Sequence, residues 1–147
     1  MNHPTSRRPR RSAAFTLIEM MVVLAIIAGL AALVGPAIFK QLKKADATTA
    51  KAQAVQLANA VKNYYMDMHQ YPRRLDDLVQ NPGGDKWDGP YIEDGALPKD
   101  PWGEPYHYDC PGTHNPKGVD VYSYGADKAP GGEGENADIG NWASDSK

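Results

Sequence analysis

The chain opens polar, turns apolar at Phe15, and from Met20 to Phe39 runs through twenty uncharged, mostly apolar residues. At about 1.5 Å per residue, a helix of that length spans roughly 30 Å, the thickness of a bilayer core. The stretch therefore reads as a membrane-spanning helix. Beyond it the pattern stays helical but becomes amphipathic, with Ala54, Leu57, Ala58, Val61, Tyr64, Tyr65 and Met68 at helical spacing and expected to face a small core. Lys40, Lys43, Lys44, Asp46, Lys51, Lys62 and Asn63 cover the other faces. One long helix from Phe15 to about His69 is predicted, ended by Tyr71-Pro72 because the residue before a proline disfavours helix. A short second helix is expected over Arg74 to Val79, where Leu75, Leu78 and Val79 share one side.

The remainder changes character. Twelve of the 14 glycines and nine of the 12 prolines lie at or beyond Pro72, so this half should be mostly loop with a few short strands. Tyr106 to Tyr108 and Val119 to Tyr124 read as strands of a half-buried antiparallel ribbon. The class is α+β, with no internal repeat. At 147 residues, a leader and a span leave about 110 residues, enough for one small domain.

Charge sharpens the picture of the N-terminus. Arg7, Arg8, Arg10 and Arg11 should hold the leader in the cytoplasm while the rest crosses. Pro9 and the further arginines argue against a twin-arginine export signal. A secretory signal has its small-residue cleavage site after the apolar run. Here Ser12, Ala13 and Ala14 precede it, so cutting there removes the arginines and keeps the anchor. Glu19 is the only ionisable side chain between Arg11 and Lys40. A carboxylate within a span costs on the order of 2.5 to 3.5 kcal/mol on insertion scales, which marks Glu19 as a functional candidate. Gly29, Gly35 and Pro36 weaken backbone hydrogen bonding farther along, and a kink or local melting is expected there.

A basic leader, a small residue and then Phe15-Thr16-Leu17-Ile18-Glu19 ahead of a long apolar helix resembles the class III signal of type IV pilins and type II secretion pseudopilins. The resemblance implies cleavage between Ala14 and Phe15 by a prepilin peptidase, although the family's usual residue before the cut is glycine. It further implies N-methylation of Phe15, and pairing of Glu19 with the Phe15 amine of a neighbouring subunit during filament assembly. It also gives the Gly29 to Pro36 stretch the role of a helix break. Leu97-Pro98, Asp100-Pro101-Trp102-Gly103 and Pro105-Tyr106 are similar to a segment of the G-type, or major, pseudopilins. In physical terms that segment is a rigid loop anchored by a buried Trp102.

From Asp127 to Asp138 a glycine-rich loop carries four carboxylates against one lysine. Such a loop left alone is floppy and self-repelling; by composition it is either solvated and disordered or ordered by a hard cation with oxygen ligands, and its spacing is not that of an EF-hand. Ser123-Tyr124-Gly125-Ala126-Asp127 with Ala137 to Trp142 resembles the C-terminal end of the G-type pseudopilins. That implies a structural calcium held by Asp127, Asp138 and the Tyr124 carbonyl, with Glu133 and Asn136 as further candidates. Cys110 is the lone cysteine, so the disulfide usual in type IV pilins cannot form, which favours a pseudopilin.

The chain carries 16 Lys and Arg against 18 Asp and Glu, and loss of the leader's arginines leaves 12 against 18. An acidic product of this kind makes nucleic acid an unsuitable partner. His3, His69, His107 and His114 form no ligand cluster and no catalytic triad is recognisable, so no enzymatic activity is expected. The resulting expectation is a type IV pilin-like protein in three parts: leader 1–14, filament-core helix 15–39 and periplasmic head 40–147. It would be the major subunit of a type II secretion pseudopilus, an inner-membrane protein that becomes a periplasmic filament. Its implied partners are itself, the prepilin peptidase, minor pseudopilins, the inner-membrane assembly platform and lipid. A minor pseudopilin, a type IV pilin and a single-span periplasmic binding module are the alternatives.

Overall fold

The structure is a computed structural model that describes residues 15–143. The leader with its arginines and Ala14 lies outside the described residues. Two compact units are distinguished, one ending at Lys40 and the other beginning at Gln41.

Helix α1, Leu17–Met68, contributes to both units. Within the first, the apolar side chains are exposed, with Leu17 and Leu33 each at 79 %. Pro36 lies inside α1, which stays helical through Gly29 and Gly35, so the local melting expected there is not seen in the single chain. A proline removes one backbone donor, and the bonded turns on either side of it keep a long helix in register.

In the second unit α1 supplies one wall of the core. Ala54, Leu57, Ala58, Val61 and Tyr64 are buried as the apolar spacing predicts, together with Ala50 and Ala60. Tyr65 departs from that pattern: it is 45 % exposed and stacks on Tyr71 at 4.7 Å. The helix ends at Met68, three residues before Tyr71, because His69 turns into the left-handed region with φ 56°. The predicted second helix is a single 3₁₀ turn, Leu75–Leu78, whose two leucines close over the α1 face. Its buried Asp77 accepts the Arg73 N–H at 2.9 Å, and Trp87 Nε1 donates to the Asp77 carbonyl at 3.0 Å. Burying a leucine of this kind contributes about 1.5–3 kcal/mol.

Three short strands form one antiparallel sheet in the order β1-β2-β3: His107–Asp109, Asp120–Ser123 and Ile139–Gly140. Tyr108 pairs with Val121, and Ser123 with Ile139. Val119 and Val121 complete the core, and Tyr106 joins it by donating its hydroxyl to Gln53 Oε1 at 2.7 Å. Beyond the two residues of β3, Asn141 continues the pairing with its side chain. Its Oδ1 accepts the Val121 N–H at 2.9 Å and its Nδ2 donates to the Val119 carbonyl at 2.9 Å.

The anchor expected at Trp102 is a different residue. Trp102 is only half-buried, whereas Asp100, two positions earlier, is buried at 5 % exposure. Its Oδ1 accepts the N–H groups of Trp102 at 3.1 Å and Glu104 at 2.7 Å, which folds the turn. A carboxylate that satisfies several backbone donors at once holds a proline-rich turn more tightly than indole packing on an open surface.

Asp120 organises the loop between β1 and β2 in the same way. It accepts the N–H groups of His114 at 2.7 Å and Asn115 at 3.1 Å, and the Asn115 amide at 2.7 Å. Burial alone raises its pKa, but these bonds and the adjacent His114 ring outweigh burial and hold it below the ordinary 3.8. The stabilisation is therefore complete above the ordinary carboxylate value and is lost as pH falls through the lowered one. Asp120→Asn should cost about 1–3 kcal/mol at neutral pH. The variant should also lose less stability than the parent on acidification, as read by thermal melts between about pH 6 and pH 2.

Candidate functional site

The first candidate site is the start of α1. Thr16 caps the helix: its Oγ1 accepts the Glu19 N–H at 3.3 Å and its carbonyl accepts the Met20 N–H at 3.3 Å. Thr16-Leu17-Ile18-Glu19 is therefore the Thr-x-x-Glu pattern of a helix start, and Glu19 lies in the first turn, where the helix dipole favours negative charge. The sequence reading missed this local role although the pattern is visible in it. Glu19 is exposed, and so is Phe15 at 73 %. Phe15 lies just ahead of the helix and Glu19 in its first turn, among exposed apolar side chains that leave the carboxylate open to an external partner.

The second is the loop after β2. A 3₁₀ turn, Gly125–Asp127, packs against another, Gly134–Asn136, and the chain then enters β3. Asp127 is exposed, with Oδ1 accepting the Ala129 N–H at 3.3 Å. Asp138 is half-buried and closes the loop by taking the Gly131 N–H on both oxygens, at 3.1 and 3.0 Å. Tyr124 immediately precedes the first turn, with φ −75° and ψ 1°. Glu133 and Asn136 flank and end the second turn. The loop is tied to the Asp100 turn by Lys128 Nζ, 2.7 Å from Glu104 Oε1.

Among the described residues no group of three or more His, Cys, Asp or Glu side chains is placed to hold a metal ion. What the loop offers is two carboxylates with spare lone pairs among backbone carbonyls. That all-oxygen donor set suits a hard cation such as calcium and not a soft one.

Among the described residues outside these two sites, Cys110 is exposed, His114 stacks on Trp142 at 3.8 Å beside Asp120, and His107 stacks on Tyr124 at 4.1 Å. Burial, followed by the nearby Asp100 charge, pushes the Tyr106 phenol well above its ordinary pKa, so it serves as a neutral donor to α1.

Residues 37–142 match the family model described as type II secretion system (T2SS), protein G. The chain belongs to that family. Residues 9–35 match a second model, the prokaryotic N-terminal methylation motif, which spans the Ala14–Phe15 junction and Glu19. Relatives in the protein G family include the type II secretion system core protein G of Pseudomonas aeruginosa, 43 % identical over 139 residues, 90 % of this chain and 96 % of that protein. The protein of the same name from Vibrio cholerae is 41 % identical over 143 residues, 92 % of this chain and 95 % of that one. Among solved structures, the major pseudopilin from the type 2 secretion system of enterohaemorrhagic Escherichia coli superposes with a TM-score of 0.56 at 33 % identity, over 71 % of this chain and 92 % of that one. The family's pseudopilin fold is thus present here, a long apolar helix with a small antiparallel sheet.

Gly132 tests the closed form of the loop. Its φ is +87°, and a Cβ there would lie 2.3 Å from the Asn136 carbonyl oxygen. Gly132→Ala should therefore destabilise the protein by about 1–3 kcal/mol, visible as a lowered melting temperature.

Proposed function

We propose that this chain is the major structural subunit of a type II secretion pseudopilus. The observation that carries the reading is the surface of the first half of α1, apolar and exposed over its whole length in a member of the protein G family. It is the one described helix long and apolar enough to cross a membrane. Such a surface is stable only in lipid or against other copies of itself, so the same side chains serve first as an inner-membrane anchor and then as the filament's centre.

Removal of residues 1–14 by a prepilin peptidase frees the Phe15 amine, which is then methylated. In the filament that ammonium meets Glu19 of the neighbouring subunit. Each charge is costly alone in a low-dielectric interior, and together they fix the axial register of one helix against the next. Gly29 and Pro36, intact within α1 of the isolated chain, are where the helix opens if packing in the filament requires it. The heads face the periplasm, and growth on an inner-membrane platform with minor pseudopilins drives folded cargo outward. The role is structural and not catalytic.

The acidic loop holds a calcium ion through Asp127, Asp138 and the Tyr124 carbonyl. Bound there, the ion would neutralise the loop's negative charge and stabilise the head.

Glu19→Ala should abolish fibres on overexpression while leaving the melting temperature of the head unchanged. Normal fibres from that variant would sink the register role. Chelation of calcium from the purified protein should lower its melting temperature, by about 2.7 kcal/mol of stability if calcium had been present at 100 times its dissociation constant. An unchanged melt would remove the metal from the account.

A further inference from the structure

Ser123 is completely buried, and neither its composition nor its place in β2 marks it for any role. Its hydroxyl donates a short hydrogen bond to Asp100 Oδ2, the oxygen left free by the turn that Oδ1 organises. With its proton committed there, Ser123 Oγ presents a lone pair to the Gly125 N–H, which donates to it at 3.0 Å. That N–H belongs to the same peptide group as the Tyr124 carbonyl. A peptide is planar, and in the trans form its N–H and C=O point in opposite directions, so fixing one aims the other. Gly125, at φ +76°, then turns the chain directly into the Gly125–Asp127 turn, and the Gly125 carbonyl accepts the Lys128 N–H at 3.4 Å.

We propose that Ser123, oriented by Asp100, is a positioning residue for the calcium ion of the acidic loop, because it pins the peptide that carries the Tyr124 carbonyl. The inference rests on the calcium reading given above and adds to it the device that prepares one of the oxygens before any ion arrives. A carbonyl whose direction is already set loses less conformational freedom on binding, and loss of groups that orient metal ligands typically costs about 10–100-fold in affinity. The turn from Asp100 to Glu104 gains a purpose as well. It lies outside the loop in sequence, yet it supports the loop through Ser123 inside the head and through the Lys128–Glu104 pair at the surface.

The test is calcium titration calorimetry on the full-length protein in detergent after stripping with a chelator. Ser123→Ala should raise the calcium dissociation constant about tenfold or more, whereas Ser123→Thr, which keeps the hydroxyl, should stay close to the parent. A hydroxyl that matters only for folding would lower the calcium-free melting temperature of Ser123→Ala and leave the dissociation constant in place, which overturns the proposal. A parent that takes up no calcium overturns the metal reading together with this inference, while equal affinities of parent and Ser123→Ala overturn this inference alone. Amide hydrogen exchange on the calcium-free parent reads the same point without a substitution. The Gly125 N–H should be protected, and exchange at the rate of an open loop would refute a carbonyl aimed in advance.

Discussion

Hydrocarbon exposed along the first half of α1 cannot remain in water, and that constraint governs the N-terminal half of the helix. In the reading proposed above, the side chains from Leu17 to Phe39 are covered by lipid or by copies of themselves. Because lipid and a bundle of identical helices are similarly apolar, the transfer between them is nearly balanced in hydrophobic energy. A balanced transfer needs a directional term to give it order. One ionisable group at the beginning of the helix, already tolerated there by the Thr16 cap and the helix dipole, can supply direction without greatly altering the energy of membrane insertion.

The head answers a different problem, which is how to hold a small fold together with few regular elements. Its sheet has strands of three, four and two residues, and the segments between them carry most of the chain. Backbone donors that long strands would have paired are met instead by buried side chains. Asp100 satisfies the turn after Leu97-Pro98, Asp120 the loop between β1 and β2, and Asp77 the turn after α1. Each carboxylate accepts several hydrogen bonds at once, which offsets the cost of burying it; Asp77 also meets the Arg74 side chain and Asp120 the His114 ring.

This division explains what could be read from the chain. The helical stripe from Ala54 to Val61 was legible because burial on one face of a helix imposes a regular spacing, and the protein keeps it. The spacing could not tell that Tyr65 stacks outward on Tyr71, since that depends on the turn the chain makes at His69. Asp100 and Ser123 were invisible for a deeper reason: a buried polar side chain leaves no periodic trace, and the conspicuous Trp102 beside it drew the role of anchor. Strand β3 is too short to alternate, and the pairing just past its end is made by Asn141 through both its backbone and its side chain. At the helix start the capping pattern was present in Thr16 and Glu19, but the cost of a charge in a membrane hid the more ordinary purpose it also serves.

Asn141 has an effect that reaches past the single molecule. An open ladder of N–H and C=O groups invites a strand from another copy. On the side of β2 where β3 gives out, the Val119 carbonyl and Val121 N–H are already taken by the asparagine amide. Edge-to-edge, amyloid-like stacking is thereby blocked at that position.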